Sequence, residues 1–426
     1  MIQTYINPPR KDWSEIVRRP QFDNEGLFGT AGIILQDVLN RGDKAVREYA
    51  EKFDNVQLSE LLVSEDEKAE SAKFVSKELK MAIYTAKANI EKFHAAQKHN
   101  IQKIKTADGV VCWQKQVAIE KVGLYVPAGT APLFSTVLML ALPAKIAGCR
   151  EVILCSPAGK DGKIHPAVIF AATVAGVDKI FKTGGAQAIG AMAYGTESIP
   201  KVYKIFGPGN QYVTAAKQIV SMKDVAIDMP AGPSEVEVIA DETAIPAFVA
   251  ADLLSQAEHG ADSQAILVAT SLPIADAVKK EIEIQLSVLP RKEIASKALL
   301  NSRIIVLPSS DIVDFTNLYA PEHLIIETQN YNETAEKIIN AGSIFLGNFT
   351  PESAGDYASG TNHTLPTNGH ARAYSGVNLD SFMKKITFQE ISKRGISQLG
   401  QTICVMAANE NLTAHENAVK LRMKNR

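Results

Sequence analysis

Few of the features that commit a chain to a membrane, a disulfide framework or a nucleic-acid partner are present. Only four cysteines occur, Cys112, Cys149, Cys155 and Cys404, and no two have CxxC spacing. That argues against a zinc ribbon and a thioredoxin-type site. Four scattered thiols in 426 residues make no disulfide framework and fit a reducing cytosol. No apolar run reaches the roughly 20 residues that a membrane span needs. The most apolar stretch, 131–147, is shorter and is interrupted by Pro143 and Lys145, so it reads as a buried helix. The N-terminal MIQTYINPPRKDW lacks the apolar core of a signal peptide. A formal net charge of -2 creates no field that would draw the chain to nucleic acid or an anionic membrane. Neither a GxGxxG fingerprint nor a P-loop occurs, and there is no low-complexity segment or strict repeat. A cytoplasmic protein is expected.

What is present is an ordinary globular composition, 46% hydrophobic and 22% charged, in a chain long enough for two or more domains. Residues 26–53 and 66–99 carry apolar residues at helical spacing, with Gly42 breaking the first stretch. Residues 101–126 alternate around Asp108-Gly109, the pattern of a hairpin followed by the strand VGLYVP. From there a short apolar run, a glycine turn and a helix recur. EVILCSPAG, DKIFKTGG and KVYKIFGPGN each lead into a helix. After IDMPAGPSE the pattern resumes with VEVIAD, AILVAT, RIIVLP and LIIET, and SIFLG follows a helix near 331–340. Alternation of this kind predicts parallel sheets covered on both faces, in two α/β domains. The polar tail 409–426 ends basic, as suits a solvated helix C-terminus.

Eight histidines are candidates for chemistry. His94 and His99 lie on a polar helix face and read as solvated, and His165 follows a turn and reads as superficial. His370 fits a turn, and His363 shares the polar stretch ESAGDYASGTNHTLPT with Asp356 and has no assigned role. That stretch reads as a surface or binding loop. His259 ends AADLLSQAEHG one helical turn after Gln256, so both side chains can meet one ion. A capping histidine beside Gly260 is the plainer local reading. Glu322 and His323 in APEHLII pair an acid with a base. Neighbours on a regular strand face opposite ways, so they share a site only if the chain is irregular after Pro321. The turns TGGAQA, FGPGN and AGPSE follow strands, where α/β sheets bind ligands, but are weak evidence for a dinucleotide by themselves.

Together these stretches resemble the histidinol dehydrogenase family. The longest match is IDMPAGPSEVEVIADETAIPAFVAADLLSQAEHG, residues 227–260. GLYVPAGTAPLFSTVLM, TGGAQAIGAMAYGT, FGPGNQYV, APEHL, SAGDYASGTNH and LTAHENAVKLR accompany it in the family's order, from about residue 30 to the C-terminus. The resemblance implies that Gln256, His259, Asp356 and His415 are zinc ligands, one Zn2+ per subunit. Histidine nitrogen and carboxylate oxygen are usual zinc donors. A glutamine oxygen is weaker, which leaves manganese or cobalt as alternatives. It implies that Glu322 and His323 are the catalytic pair and that Ser234, Gln256, His259, His323, Asp356, Glu410 and His415 contact substrate. It implies NAD contacts at Tyr125, Gln187 and Asn210. Ala128 stands where the family pattern has glycine.

The activity implied is oxidation of L-histidinol through L-histidinaldehyde to L-histidine with two NAD. His323, if neutral near pH 7, would take the alcohol proton, and Glu322 would help activate water for the second oxidation. No cysteine lies in these motifs, so no thioester is expected. The resemblance implies a homodimer whose tails complete each other's sites, with no nucleic-acid or membrane partner. The expected division is an N-terminal extension 1–20, a first α/β domain of 21–126 and 235–373 with the zinc and catalytic residues, an NAD-side α/β domain 127–234, and a tail 374–426. Both termini are expected to be small helical extensions. Rival readings are a zinc-dependent NAD dehydrogenase of another small polar alcohol, such as a sulfonated diol, a metal-dependent hydrolase, and a binding protein without catalysis.

Overall fold

A computed structural model describes residues 2–20, 24–98, 100–128, 132–230 and 232–424. The chain opens on a strand, β1 (Gln3–Ile6), and one helical turn, α1 (Trp13–Ile16). Helices α2 (Asn24–Arg41) and α3 (Asp43–Tyr49) part at Gly42, whose φ of 53° suits glycine alone. The second helical stretch is also divided, into α4 (Glu65–Phe74) and α5 (Lys77–Ala95). Ser64 and Ser76 each accept a backbone N–H of the helix they precede, and Val75 between the two helices is extended. The hairpin at Asp108-Gly109 is β2 (Ile104–Ala107) with β3 (Val110–Ala118), and β4 (Lys121–Tyr125) follows.

Helix α6 (Phe134–Ala147) is buried over most of its length, as the apolar run 131–147 predicts, and ends at left-handed Gly148. Residues 129–131 at its approach lie outside the described residues. Strands and helices then alternate as β5 (Glu151–Ser156), α7 (Pro166–Val174), β6 (Lys179–Lys182), α8 (Gly185–Tyr194), β7 (Lys204–Phe206), α9 (Gln211–Ser221) and β8 (Ala226–Ile227). The second run is β9 (Glu235–Ala240), α10 (Pro246–Ala257), β10 (Gln264–Ala269), α11 (Leu272–Val288), α12 (Lys292–Asn301), β11 (Arg303–Val306), α13 (Ser309–Tyr319), β12 (His323–Glu327), α14 (Tyr331–Ala335) and β13 (Ser343–Leu346). Helix α15 (Glu352–Tyr357), strand β14 (Met383–Ile391) and helices α16 (Lys393–Asn409) and α17 (Thr413–Lys424) complete the chain.

Two parallel sheets result. The five-stranded sheet has the order β6-β5-β4-β7-β8, and the six-stranded sheet β1-β11-β10-β9-β12-β13. A third, antiparallel sheet joins β14, β3 and β2. Both parallel sheets are covered on both faces, and their side chains divide accordingly. On β5, Val152 and Leu154 enter one apolar cluster, while Ile153 and Cys155 enter the other. On β10 and β11, Leu267, Ile304 and Val306 face one side and Ile266, Val268 and Ile305 the other. This two-sided burial is why the strands read as continuous apolar runs. Each fully buried side chain of this size contributes about 1.5–3 kcal/mol.

Several readings are corrected. Strand β4 is the centre of the five-stranded sheet and α2 packs on α8 and α9, so much of 21–126 joins the 127–234 unit and not 235–373. Val122 and Leu124 find their apolar partners there. The N-terminal extension is not only helical, because β1 pairs in parallel with β11 as an edge strand. The helix near 331–340 shrinks to α14, and the first six residues of the polar stretch, Asp356 among them, form α15 while the rest stays irregular. His94 is fully buried, its Nδ1 2.9 Å from the Ile90 carbonyl, continuing the buried stripe Ile83, Ala86, Ile90. His165 is exposed, its ring nitrogen accepting the Ala167 N–H. His99 lies outside the described residues.

On the central strand β9, Glu237 is fully buried and its carboxylate accepts the Thr316 hydroxyl. Burial pushes this carboxyl up to about 8, against the Thr316 hydrogen bond and the Arg19 charge. An unfolded glutamate ionises near pH 4.3. The native state therefore keeps this group's contribution below about pH 4.3 and loses it as pH rises through about 8. Glu237→Gln is expected to raise stability over the wild type on the order of 3 kcal/mol at pH 8.5 and by much less at pH 5. Urea midpoints at the two values check this, and an equal difference at both would refute it.

Candidate active site

A cavity of about 1310 Å³ opens between the two parallel sheets. One wall comes from the carboxyl ends of the five-stranded sheet, with Pro127 after β4 and Gly207 to Asn210 after β7. The other comes from the amino ends of the six-stranded sheet, with Ser234 before β9 and Glu322 and His323 where β12 begins. Gly207 has φ 127°, and a Cβ there would collide with the Tyr125 carbonyl. Only glycine lets the FGPGN turn lie so close to β4.

The irregularity that the acid–base pair needs lies just before it. Ala320 is left-handed at φ 54°, which costs an L-residue about 1 kcal/mol or more. The chain then enters β12 with both Glu322 and His323 facing the cavity. Both are nearly buried. One residue of the neighbouring strand holds the pair through its backbone. The Glu235 N–H donates to Glu322 Oε2 at 2.9 Å, and the Glu235 carbonyl lies 3.2 Å from His323 Nδ1. With the Nδ1 proton directed at that carbonyl, Nε2 faces Asp356, 3.7 Å away, and has no hydrogen-bond partner.

Gln256 and His259 come from the end of α10, and Asp356 from α15. Glu352, one helical turn before Asp356, is a site residue missed in the sequence. It is nearly fully buried, with Oε1 3.8 Å from His323 Nδ1. Its i, i+4 relation to Asp356 was visible only once 352–357 was known to be helical. His363, left unassigned, lines the same cavity. Its Nδ1 is 2.9 Å from the Asp356 carbonyl and its Nε2 3.0 Å from Thr136 Oγ1.

Ligand atoms of His259, Glu352 and Asp356 lie within 4.8 Å of one another. Zinc bonds of about 2.0–2.2 Å allow ligand atoms up to about 4.4 Å apart across the ion, so small adjustments bring the trio to one cation. Gln256 Oε1 is buried without a partner, while its Nε2 lies 3.5 Å from Glu322 Oε2. An orphaned carboxamide oxygen beside these donors fits a divalent ion.

The electrostatics agree. The protein around His259 desolvates its ring and lowers its pKa, outweighing Asp356, although the residue keeps an exposed edge. Burial pushes Glu322 up to about 8, against the His323 charge and the Glu235 N–H. Burial disfavours the Asp356 charge, but the His323 ring 3.7 Å away holds its carboxyl below the usual range. Burial opposes the His323 charge, yet Glu352, Glu322 and Asp356 together raise it to about 10. Without a cation in the cluster, these acidic neighbours favour the protonated imidazole.

The predicted dinucleotide positions gather at the carboxyl end of the five-stranded sheet. Asn210 caps α9, accepting the Tyr212 and Val213 N–H groups at 3.0 and 3.1 Å, and lines the cavity. Tyr125 and Gln187 are buried and are not among the cavity-lining residues. The Tyr125 hydroxyl accepts the Gly185 N–H at 3.1 Å, and burial pushes it up to about 12. Ser156 Oγ, Thr183 Oγ1 and Gln187 Oε1, at the ends of β5 and β6 and in α8, are buried without partners. Such orphaned groups fit a polar ligand at this edge. Glu410 and His415 are exposed, on the end of α16 and on α17, and neither is among the residues lining the cavity of its own chain.

Fold and site define an α/β enzyme, with an acid–base pair beside a candidate divalent-metal centre. The family model for histidinol dehydrogenase matches residues 17–423, and the chain belongs to that family of oxidoreductases. The chain is 63% identical over 424 residues to the histidinol dehydrogenase of Bacteroides thetaiotaomicron, covering 99% of each. It is 52% identical over 413 residues to that of Escherichia coli K12, covering 96% of this chain and 94% of the other. The crystal structure of histidinol dehydrogenase from Elizabethkingia anophelis superposes with a TM-score of 0.98 at 56% identity, covering 100% of this chain and 98% of that one. These likenesses support no reading in which another small polar alcohol is the substrate. Among the described residues no helix is long and apolar enough to cross a membrane.

If the cluster holds zinc, zinc at a hundred times its Kd should stabilise metal-stripped protein by about 2.7 kcal/mol, a melting shift of about 3 °C. His259→Ala should lose most of that shift in the same thermal melt. An undiminished shift in the variant would remove His259 from the ligand set.

Proposed function

We propose that this cavity oxidises L-histidinol to L-histidine in two steps, passing two hydrides to two NAD, with Zn2+ held by Gln256, His259 and Asp356. The observation that carries the reading is the Glu322–His323 pair, clamped by the Glu235 backbone and facing an orphaned Gln256 oxygen beside the His259–Asp356 donors. Zinc when bound supplies a template for the imidazole and amino nitrogens of the substrate and a positive field that disfavours the proton on His323.

His323 then presents Nε2 to the substrate hydroxyl. It takes the hydroxyl proton as the carbon-bound hydrogen leaves with its electron pair for the nicotinamide, and the alcohol becomes the aldehyde. Ser234 lies at the cavity wall, placed to contact the substrate. Glu322, once ionised, accepts a proton from water as its oxygen adds to the aldehyde. The hydrate gives up its second hydride to a second NAD and leaves as the carboxylic acid. A nearly enclosed pair of this kind keeps the aldehyde from side reactions between steps. Tyr125, Gln187 and Asn210 serve the dinucleotide at the carboxyl edge of the five-stranded sheet, the edge where such sheets bind ligands.

Glu410 and His415 of the partner subunit complete the site in a homodimer. Supporting this, α17 packs on α16 while Val405, Met406, Leu412 and Leu421 remain exposed, apolar surface that a partner subunit would cover. The cytoplasm suits a chain whose four cysteines are free.

Exhaustive oxidation of a known amount of histidinol should yield two NADH for each histidinol consumed. A ratio of one would mean that the aldehyde escapes and that Glu322 has no second step to serve. His323→Asn should lower kcat about 10²–10⁴-fold with zinc content unchanged by atomic absorption. Turnover near the wild-type rate would remove His323 as the base.

A further inference from the structure

The residue that holds the catalytic pair is itself held, from a distant part of the chain. Glu235 begins β9, and its side chain is almost wholly buried. Arg19, before α2, grips that carboxylate with two parallel bonds, Nε to Oε1 at 2.6 Å and an Nη to Oε2 at 2.8 Å. The Asn368 N–H adds a third at 2.6 Å. The same guanidinium donates to the Tyr319 carbonyl at 2.8 Å and lies 4.3 Å from the centre of the Tyr319 ring. A planar fork on a carboxylate fixes direction as well as distance, which a lysine ammonium does not.

Glu235 is thus tied at both ends. Its side chain is locked by Arg19 and Asn368, and its peptide groups orient Glu322 and His323. We propose that Arg19 is a positioning residue for the reaction, acting through Glu235 to set the Glu322 carboxylate and the His323 tautomer. Without Arg19 the buried Glu235 carboxylate loses its compensating charge and turns toward the cavity, carrying its backbone with it. Displacement of reacting groups by about 1 Å is enough to cost on the order of 10²-fold in rate. The inference rests on Glu322 and His323 being the catalytic pair.

The test uses zinc-loaded full-length enzyme and compares Arg19→Met, Arg19→Lys, Glu235→Gln and the Arg19→Met/Glu235→Gln double variant. Kcat, KM for histidinol, zinc per chain and melting temperature are measured for each. Arg19→Met and Glu235→Gln are each expected to lower kcat about 10²-fold, with KM and zinc content within about threefold of wild type, a loss confined to oriented chemistry. The double variant should be no slower than the worse single, because both break one linkage. Arg19→Lys, which keeps the charge and loses the fork, should sit roughly tenfold below wild type. If Arg19→Met does not fold, Arg19→Lys carries the comparison. Wild-type kcat in Arg19→Lys or Arg19→Met, or losses that multiply in the double variant, would overturn the proposal whatever the melting temperatures. Normal turnover in His323→Asn would instead overturn the assignment of the pair itself.

Discussion

Three carboxylates enclosing one imidazole set the terms for the rest of the molecule. Glu322, Glu352 and Asp356 surround His323 at 3.7–3.8 Å, and all are largely withdrawn from water. Each ion removed from water costs several kcal/mol unless it is paired, and one imidazolium cannot pair with three carboxylates. The excess appears as carboxyls driven upward by burial at Glu322 and Glu352. A divalent cation or added protons balance such a cluster. The surrounding fold must be rigid enough to hold it in the meantime.

That rigidity comes from opposing sheet ends. The five-stranded sheet presents its carboxyl ends to the cavity, where glycine turns lead into the helix starts. The six-stranded sheet presents its amino ends, so the reacting groups sit where strands enter and not where they leave. Strand entrances are held on one side only by their ladder. At β9 the remaining hold is a side chain, Glu235, locked by Arg19 and Asn368. The cavity is thereby framed by two sheets and braced by a residue from the N-terminal segment.

The two-sided sheets were legible because strands buried on both faces must be apolar throughout, as VILC and AILVA are. Helix breaks at Gly42 and between Phe74 and Lys77 carry local causes, a left-handed glycine and capping serines. Asp356 was misread as a loop residue because ESAGDY is short, polar and without an apolar stripe, and its helix exists by packing. His94 was misread because its neighbours are polar, although its spacing from Ile83, Ala86 and Ile90 places it inward. The membership of β4 in the five-stranded sheet was invisible because strand order in a parallel sheet is set by long-range pairing.

By itself, the chain's order of residues determined the alternation of strands and helices, the glycine turns and the ordered motifs that mark the histidinol dehydrogenase family, because these depend on neighbours within a few positions or on likeness of sequence. Tertiary structure alone decided that Glu352 and His363 join the site and that Glu235 orients Glu322 and His323. It likewise placed Arg19 on that carboxylate across 216 positions of chain. Burial, charge and hydrogen-bond direction among distant residues exist only after the sheets have closed around the cavity.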